Sequence, residues 1–180
     1  MNQKRKIQMP VRKVVTYGHP VLKKVSSDIT DFSDIQSFVQ DLFDTMYEFD
    51  GIGLAANQLG VDKRIFVVDI SHMEESDADS DKPLVFINGR IENPSGSCVD
   101  SEGCLSLPGI RINVERYESI QYSYLDENLN KCSKVFSGLL ARVIQHENDH
   151  LDGKIITDYA TPSDLLEYKS HLETMRLENS

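Results

Sequence analysis

Five consecutive residues, His146-Glu-Asn-Asp-His150, have the types and spacing to hold a metal and move a proton. On a helix, positions i and i+4 share a face and lie about 6 Å apart along the axis. Two imidazoles so placed converge on one ion, at bonds of about 2.0–2.1 Å. Glu147 neighbours the first histidine and reaches a water beside the ion without ligating it, the general-base position of an H-E-x-x-H site. The bland alternative is a surface helix carrying two histidines by chance. Against it, Leu139, Leu140, Val143 and Ile144 make this helix largely apolar, and partly buried histidines beside a glutamate need a partner.

A third ligand must come from elsewhere in the chain. The longer metalloprotease pattern continues x-x-Gly-x-x-His; Gly153 matches, but Ile156 stands at the histidine position. Glu167 and Glu173 are carboxylate candidates on a helix whose polar face reads as solvated. Cysteine remains. Cys104 lies in Ser101-Glu-Gly-Cys-Leu-Ser-Leu-Pro-Gly109, a non-helical stretch able to present a thiolate and free backbone N–H groups. Cys98 sits in a turn-like Pro94-Ser-Gly-Ser-Cys98, and Cys132 in an alternating strand where packing accounts for it. A Cys104, His146, His150 set leaves one coordination position for water, as catalytic sites do.

The elements that must position these groups are legible in outline. Asp34–Phe49 is an amphipathic helix, with Ile35, Phe38, Val39, Leu42, Phe43, Met46 and Tyr47 recurring at helical spacing. Asp34 or Ser33 is its N-cap, and Gly51 its end. The run Gly51-Ile-Gly-Leu-Ala-Ala-Asn-Gln58 has no helix period and reads as a turn where backbone approaches another group. Strands are predicted at Arg64–Ile70, Leu84–Asn88, Ile112–Glu115, Ser119–Leu125 and Cys132–Phe136, the last two joined by a turn over Asp126–Asn130. Gly138–His150 is the second helix. Ser163–Leu177 is the third, with Ser163 as its cap after Thr161-Pro162. Strands in the middle and helices at both ends make an α+β chain.

Composition bounds the function. The chain has 180 residues, 19 basic and 29 acidic, a net charge of −10 that argues against a phosphate-binding surface. One domain over 1–180 is the expected organisation. Within it, 71–81 forms an acidic surface loop carrying Glu74, Glu75, Asp77, Asp79 and Asp81. No apolar run reaches the roughly 18 residues of a membrane span, and no apolar segment follows the basic Met1–Lys6 as in a secretory signal. An odd cysteine count with no such signal suggests a reducing compartment and thiol or metal chemistry.

Three motifs together resemble the peptide deformylases. That family is marked by G-apolar-G-apolar-A-A-x-Q, then E-G-C-L-S, then Q-H-E-x-D-H-L-x-G. Here they are Gly51-Ile-Gly-Leu-Ala-Ala-Asn-Gln58, Glu102-Gly-Cys-Leu-Ser106 and Gln145-His-Glu-Asn-Asp-His-Leu-Asp-Gly153, in the same order. The resemblance covers roughly residues 10–175, and the terminal helix is similar to the bacterial type 1 branch. Asn57 departs from the commoner Pro or Thr and touches no catalytic role. Arg142 stands where the family builds part of its substrate pocket.

The resemblance implies an α+β fold in which antiparallel or mixed sheets surround the central H-E-x-x-H helix, with a C-terminal helix over 163–177. It implies removal of the N-formyl group from the formyl-methionine of new polypeptides, releasing formate. Cys104, His146 and His150 would hold Fe²⁺ in the cell, with Zn²⁺, Ni²⁺ or Co²⁺ as substitutes. Such a metal lowers the pKa of a water toward about 7, and Glu147 takes the proton and passes it to the leaving amine. The Leu105 N–H and the Gln58 amide would meet the oxyanion. Ile52, Gly53, Glu102 and Val143 are the substrate-binding candidates: Ile52 and Gly53 by backbone pairing, Ile52 and Val143 around the methionine side chain, and Glu102 beside Cys104 in an ion pair with Arg116. The expected setting is a cytoplasmic monomer, with transient ribosome contact and neither nucleic acid nor membrane as a partner. One rival is a metallopeptidase cutting internal bonds, for which Cys104 would be dispensable to metal binding. The other is a metal-binding homologue without turnover, which would have lost Glu147 or Gln58.

Overall fold

A computed structural model describes residues 11–73 and 81–179. The acidic residues 74–79 of the expected loop lie outside these. Helix α1 (Ile35–Glu48) follows its apolar spacing, burying Ile35, Phe38, Val39, Leu42 and Met46 on one stripe. Asp34 occupies the N-cap position without a side-chain cap bond. The Gly51 N–H closes the far end on the Met46 carbonyl.

Five strands form one antiparallel sheet in the order β1 (Gly53–Ala55), β2 (Ile65–Val68), β3 (Leu84–Ser95), β6 (Ser119–Leu125), β7 (Lys131–Ser137). A separate antiparallel hairpin pairs β4 (Cys98–Cys104) with β5 (Leu107–Arg116). Strand β2 is apolar throughout because both its faces are covered. Phe66 and Val68 pack with helix α2 (Gly138–Leu151), while Ile65 and Val67 pack with α1. Strand β6 alternates as expected, with Ile120, Tyr122 and Tyr124 inward. A third cluster sets Leu107, Ile110, Ile112 and Val114 of β5 against Leu22, Ile155, Ile156, Leu172 and Met175. Helix α2 thus runs between the large sheet and the β4–β5 hairpin. It ends at Gly153, whose φ of +73° suits glycine, and a Cβ there would sit 2.8 Å from the Lys23 carbonyl oxygen.

Two expectations change. Residues 98–104, read as turn and loop, form β4, and the short strand at Ile112–Glu115 is the ten-residue β5. Strand β4 has only Glu102 buried along its length, so it offers no apolar alternation to read. The third helix is two: α3 (Pro162–Glu167) and α4 (Lys169–Glu178), separated at Tyr168. Thr161, not Ser163, caps the first, its Oγ1 accepting from the Asp164 N–H at 3.2 Å with Pro162 at the first helical position. The break at Tyr168 lets α4 lay Leu172 and Met175 into the third cluster while Leu165 and Leu166 of α3 stay exposed.

Candidate metal centre

The core packing of α2 turns His146 and His150 to one side, with ring centroids 5.1 Å apart. Cys104 ends β4 at the hairpin turn, and its Sγ lies 3.2 Å from His150 Nε2. One donor atom from each of the three residues lies within 4.8 Å of the others, and among the described residues this is the group able to hold an ion. A thiolate and two imidazoles suit a divalent transition metal, and three protein donors leave a position open. The buried carboxylate of Glu147 supports the same fit: its Oε2 has no protein hydrogen-bond partner. Gly53 makes room for that carboxylate, since a Cβ at this position would overlap Glu147 Oε1.

Electrostatics divide the cluster. Burial raises the Glu147 carboxyl to about 7, the Glu102 charge adds to the rise, and His146 and Arg116 oppose it. Burial disfavours charge on His146, but bonds to Cys104 and Glu102 and the charge of Glu147 outweigh it and hold its proton affinity well above the usual histidine range. Burial and the neighbouring cations His146 and Arg116 drive His150 well below that range.

A buried network holds His146 from behind. His146 Nδ1 meets Glu102 Oε2 at 2.8 Å. Arg116 clasps both oxygens of Glu102, at 3.0 and 2.9 Å, and Arg142 Nη1 donates to Oε1 at 2.7 Å. Burial alone would raise the Glu102 carboxyl; the bonds from His146 and Arg116 reverse this and lower it to about 2. Arg142 also donates to the Val114 and Cys98 carbonyls, tying α2 to both strands of the hairpin. Sequence reading paired Glu102 with Arg116 but did not find the role of Arg142. Its signal is a guanidinium one turn before His146 in the otherwise apolar first half of the helix.

Gln58 sits in a buried 3-10 turn, Ala56–Leu59, that follows β1. Its Oε1 accepts from the Ala55 N–H at 2.9 Å, which leaves Nε2 facing Ser106 Oγ at 3.3 Å and Cys104 Sγ at 3.6 Å. This is no ordinary turn glutamine. Asn57 is fully buried beside it and donates to the His150 carbonyl, so its contact with the site is structural and was not expected from sequence.

A cleft of about 920 Å³ opens onto these groups. Ile52, Gly53, Gln58, Glu102, Leu105 and Val143 all line it, as do Cys104, His146 and Glu147; His150 adjoins it through the Cys104 sulfur. All the candidate residues are therefore brought together. Strand β1 stands at the free edge of the large sheet, and Leu105 is at the hairpin turn, so backbone from two elements frames the cleft. Glu102 differs from the other lining residues because both its oxygens are engaged by protein.

Comparison with known proteins agrees with this geometry. The profile of the polypeptide deformylase family matches residues 11–165. Peptide deformylase 2 of Xanthomonas campestris is 50% identical over 127 residues, covering 71% of each chain. The peptide deformylase of Flavobacterium psychrophilum is 40% identical over 158 residues, covering 82% of this chain and 81% of its own. Among solved structures, the peptide deformylase of Thermus thermophilus superposes with a TM-score of 0.86 at 33% identity, over 94% of this chain and all of its own. The enzyme of Synechococcus elongatus, in complex with actinonin, gives 0.82 at 36% identity over 91% and 89%. With the matched region spanning all three motifs and every donor of the buried cluster, the chain belongs to the polypeptide deformylase family.

Proposed function

We propose that this protein is a peptide deformylase, hydrolysing the N-formyl group of formyl-methionyl peptides to formate and a free amine. The observation that carries the reading is the convergence of Cys104, His146 and His150 beside a buried carboxylate that has one free oxygen. A divalent metal on those three donors would supply Lewis-acid activation of water and carbonyl. Fe²⁺ is the proposed cellular metal, on a thiolate and imidazole set that also accepts Zn²⁺, Ni²⁺ or Co²⁺.

Glu147 is the proton carrier. Its free Oε2 takes the proton of the attacking water and delivers it to the departing amine nitrogen. Gln58 Nε2, fixed by the bond that Oε1 makes to Ala55, donates to the oxyanion together with the Leu105 N–H. The peptide pairs by backbone along Ile52 and Gly53 at the free edge of β1, a mode that tolerates many sequences. Ile52 and Val143 receive the methionine side chain. Glu102, a substrate-binding candidate from its sequence position, instead supports His146, because Arg116, Arg142 and His146 occupy its oxygens.

One chain supplies every group of the site, so it is complete without a partner subunit, and the proposed organisation is one catalytic domain acting as a monomer. Among the described residues no helix is long and apolar enough to cross a membrane. The proposed setting, which follows from the substrate, is the cytoplasm, with passing contact with ribosomes. The test is formate release from formyl-Met-Ala-Ser by anaerobically prepared, Fe²⁺-loaded protein, with acetyl-Met-Ala-Ser beside it. Formate from the first peptide alone is expected, and Glu147→Ala should abolish it with metal retained. Metal bound at one equivalent without formate would sink the proposal, and cleavage of an internal bond would favour a peptidase.

A further inference from the structure

The motif residue Asp149 has no part in the chemistry above, yet it belongs to a chain of bonds that ends on a metal ligand. Its Oδ2 accepts from Tyr159 Oη at 2.6 Å and from Arg116 Nη1. Arg116 Nη2 continues to Glu102 Oε2 at 2.9 Å, and that oxygen meets His146 Nδ1 at 2.8 Å. The Tyr159 ring also lies 5.1 Å from the Arg116 guanidinium carbon, within cation–π range. Tyr159 is held in place by the 3-10 turn Ile156–Asp158, whose Ile156 is buried in the third core cluster.

The chain also passes from one cleft to another. Helix α2 gives Arg142, Val143, His146 and Glu147 to the catalytic cleft. It gives Gln145, Asn148 and Asp149 to a second, polar cleft of about 690 Å³ that Asp152 at its C-cap, Arg116 and Tyr159 also line. No residue lines both. Arg116 is 5% exposed and has two carboxylate partners, one on each side. Without Asp149 its one remaining carboxylate partner is Glu102, the residue that orients His146. Arg142 holds the other oxygen of Glu102, so losing Asp149 loosens the network without dissolving it.

We infer that Asp149 and Tyr159 are positioning residues for the metal centre, acting from the second cleft through Arg116 and Glu102 to fix the ring of His146. This rests on the metal site proposed above. Partners one shell beyond a ligand commonly change metal affinity by about 10–100-fold. Asp149 stands further out, so the expected effect of Asp149→Asn is at the lower end, about tenfold faster metal release.

The experiment loads the full chain with Co²⁺ and follows metal release to excess chelator, together with the visible cobalt spectrum and the melting temperature. Asp149→Asn should release Co²⁺ about tenfold faster with an altered spectrum. Tyr159→Phe, which removes one partly exposed hydroxyl, should shift both in the same direction by less. Asp152→Asn is the control: it breaks the ion pair that Asp152, at the C-cap of α2, makes to Arg64, but no side-chain bond leads from Asp152 to His146. It should lower the melting temperature and leave release and spectrum as in the wild type. Wild-type release from both Asp149→Asn and Tyr159→Phe would overturn the inference, as would equal acceleration by Asp152→Asn. If Asp149→Asn does not fold, an unchanged Tyr159→Phe decides against it. A wild-type chain that takes up no Co²⁺ overturns the metal reading itself, a different result from a loaded chain whose variants behave alike.

Discussion

Gln58 shows how one side chain acquires a direction. A buried glutamine must satisfy both ends of its amide, and here the backbone N–H of Ala55 takes the oxygen. The amide nitrogen is therefore the end that faces Cys104 and the cleft. A donor fixed before the reaction costs no reorganisation when charge develops, and removing one such donor costs about 10²–10³ in kcat. Gln58→Ala should lose that much in steady-state formate release while retaining its metal, measured by elemental analysis. Loss of metal in step with activity would instead make Gln58 a structural prop for Cys104. The motif made Gln58 conspicuous in sequence, but its orientation depends on a bond within the local 3-10 turn that spacing does not reveal.

At the scale of elements, the site is a meeting of α2 with the β4–β5 hairpin across buried ion pairs, while the substrate edge comes from β1 at the end of α1. Tyr47 on α1 secures that second piece. Its hydroxyl donates to Asp69 Oδ2 at 2.6 Å just beyond β2, and the Asp69 N–H donates to the Ile52 carbonyl. Burial raises the Asp69 carboxyl, but bonds from Tyr47 and Ser71 outweigh it and hold its pKa below the usual aspartate value. A carboxyl depressed in the folded state stabilises it above the unfolded pKa of about 3.9 and loses that contribution as pH falls through the folded value. Asp69→Asn should therefore melt lower than wild type at pH 7, and the gap should close as pH falls below about 4. A constant gap across pH would show that packing, not ionisation, explains the loss.

For the molecule as a whole, Cys104 and the two histidines stand 42 and 46 positions apart in sequence, on elements from different layers. An ion bound there cross-links the hairpin to the central helix and binds only the folded chain. Its contribution follows mass action, about 2.7 kcal/mol when free metal is a hundred times the dissociation constant. Adding Co²⁺ to metal-free protein should raise the melting temperature in the wild type and fail to do so in Cys104→Ala. An equal rise in both would remove the thiolate from the ligand set and revive a carboxylate or third-histidine site.

Read alone, the sequence determined the type of chemistry and most of the scaffold. Helical spacing in α1 and α2, alternation in β6 and the Asp126–Asn130 turn are local patterns, because side-chain burial follows backbone period wherever one face meets a core. The H-E-x-x-H spacing is also local, and elimination led to Cys104. Strand β4 was not legible, having no apolar face, and neither was the break at Tyr168, which serves a contact with β5 rather than any helix-ending signal. What surrounds the donors comes from tertiary contacts that no local pattern marks: Arg142 on Glu102 and Asn57 on the His150 carbonyl. Each is a polar group that burial obliges to find a partner, and the partner is whichever complementary atom the folding of distant segments brings within reach.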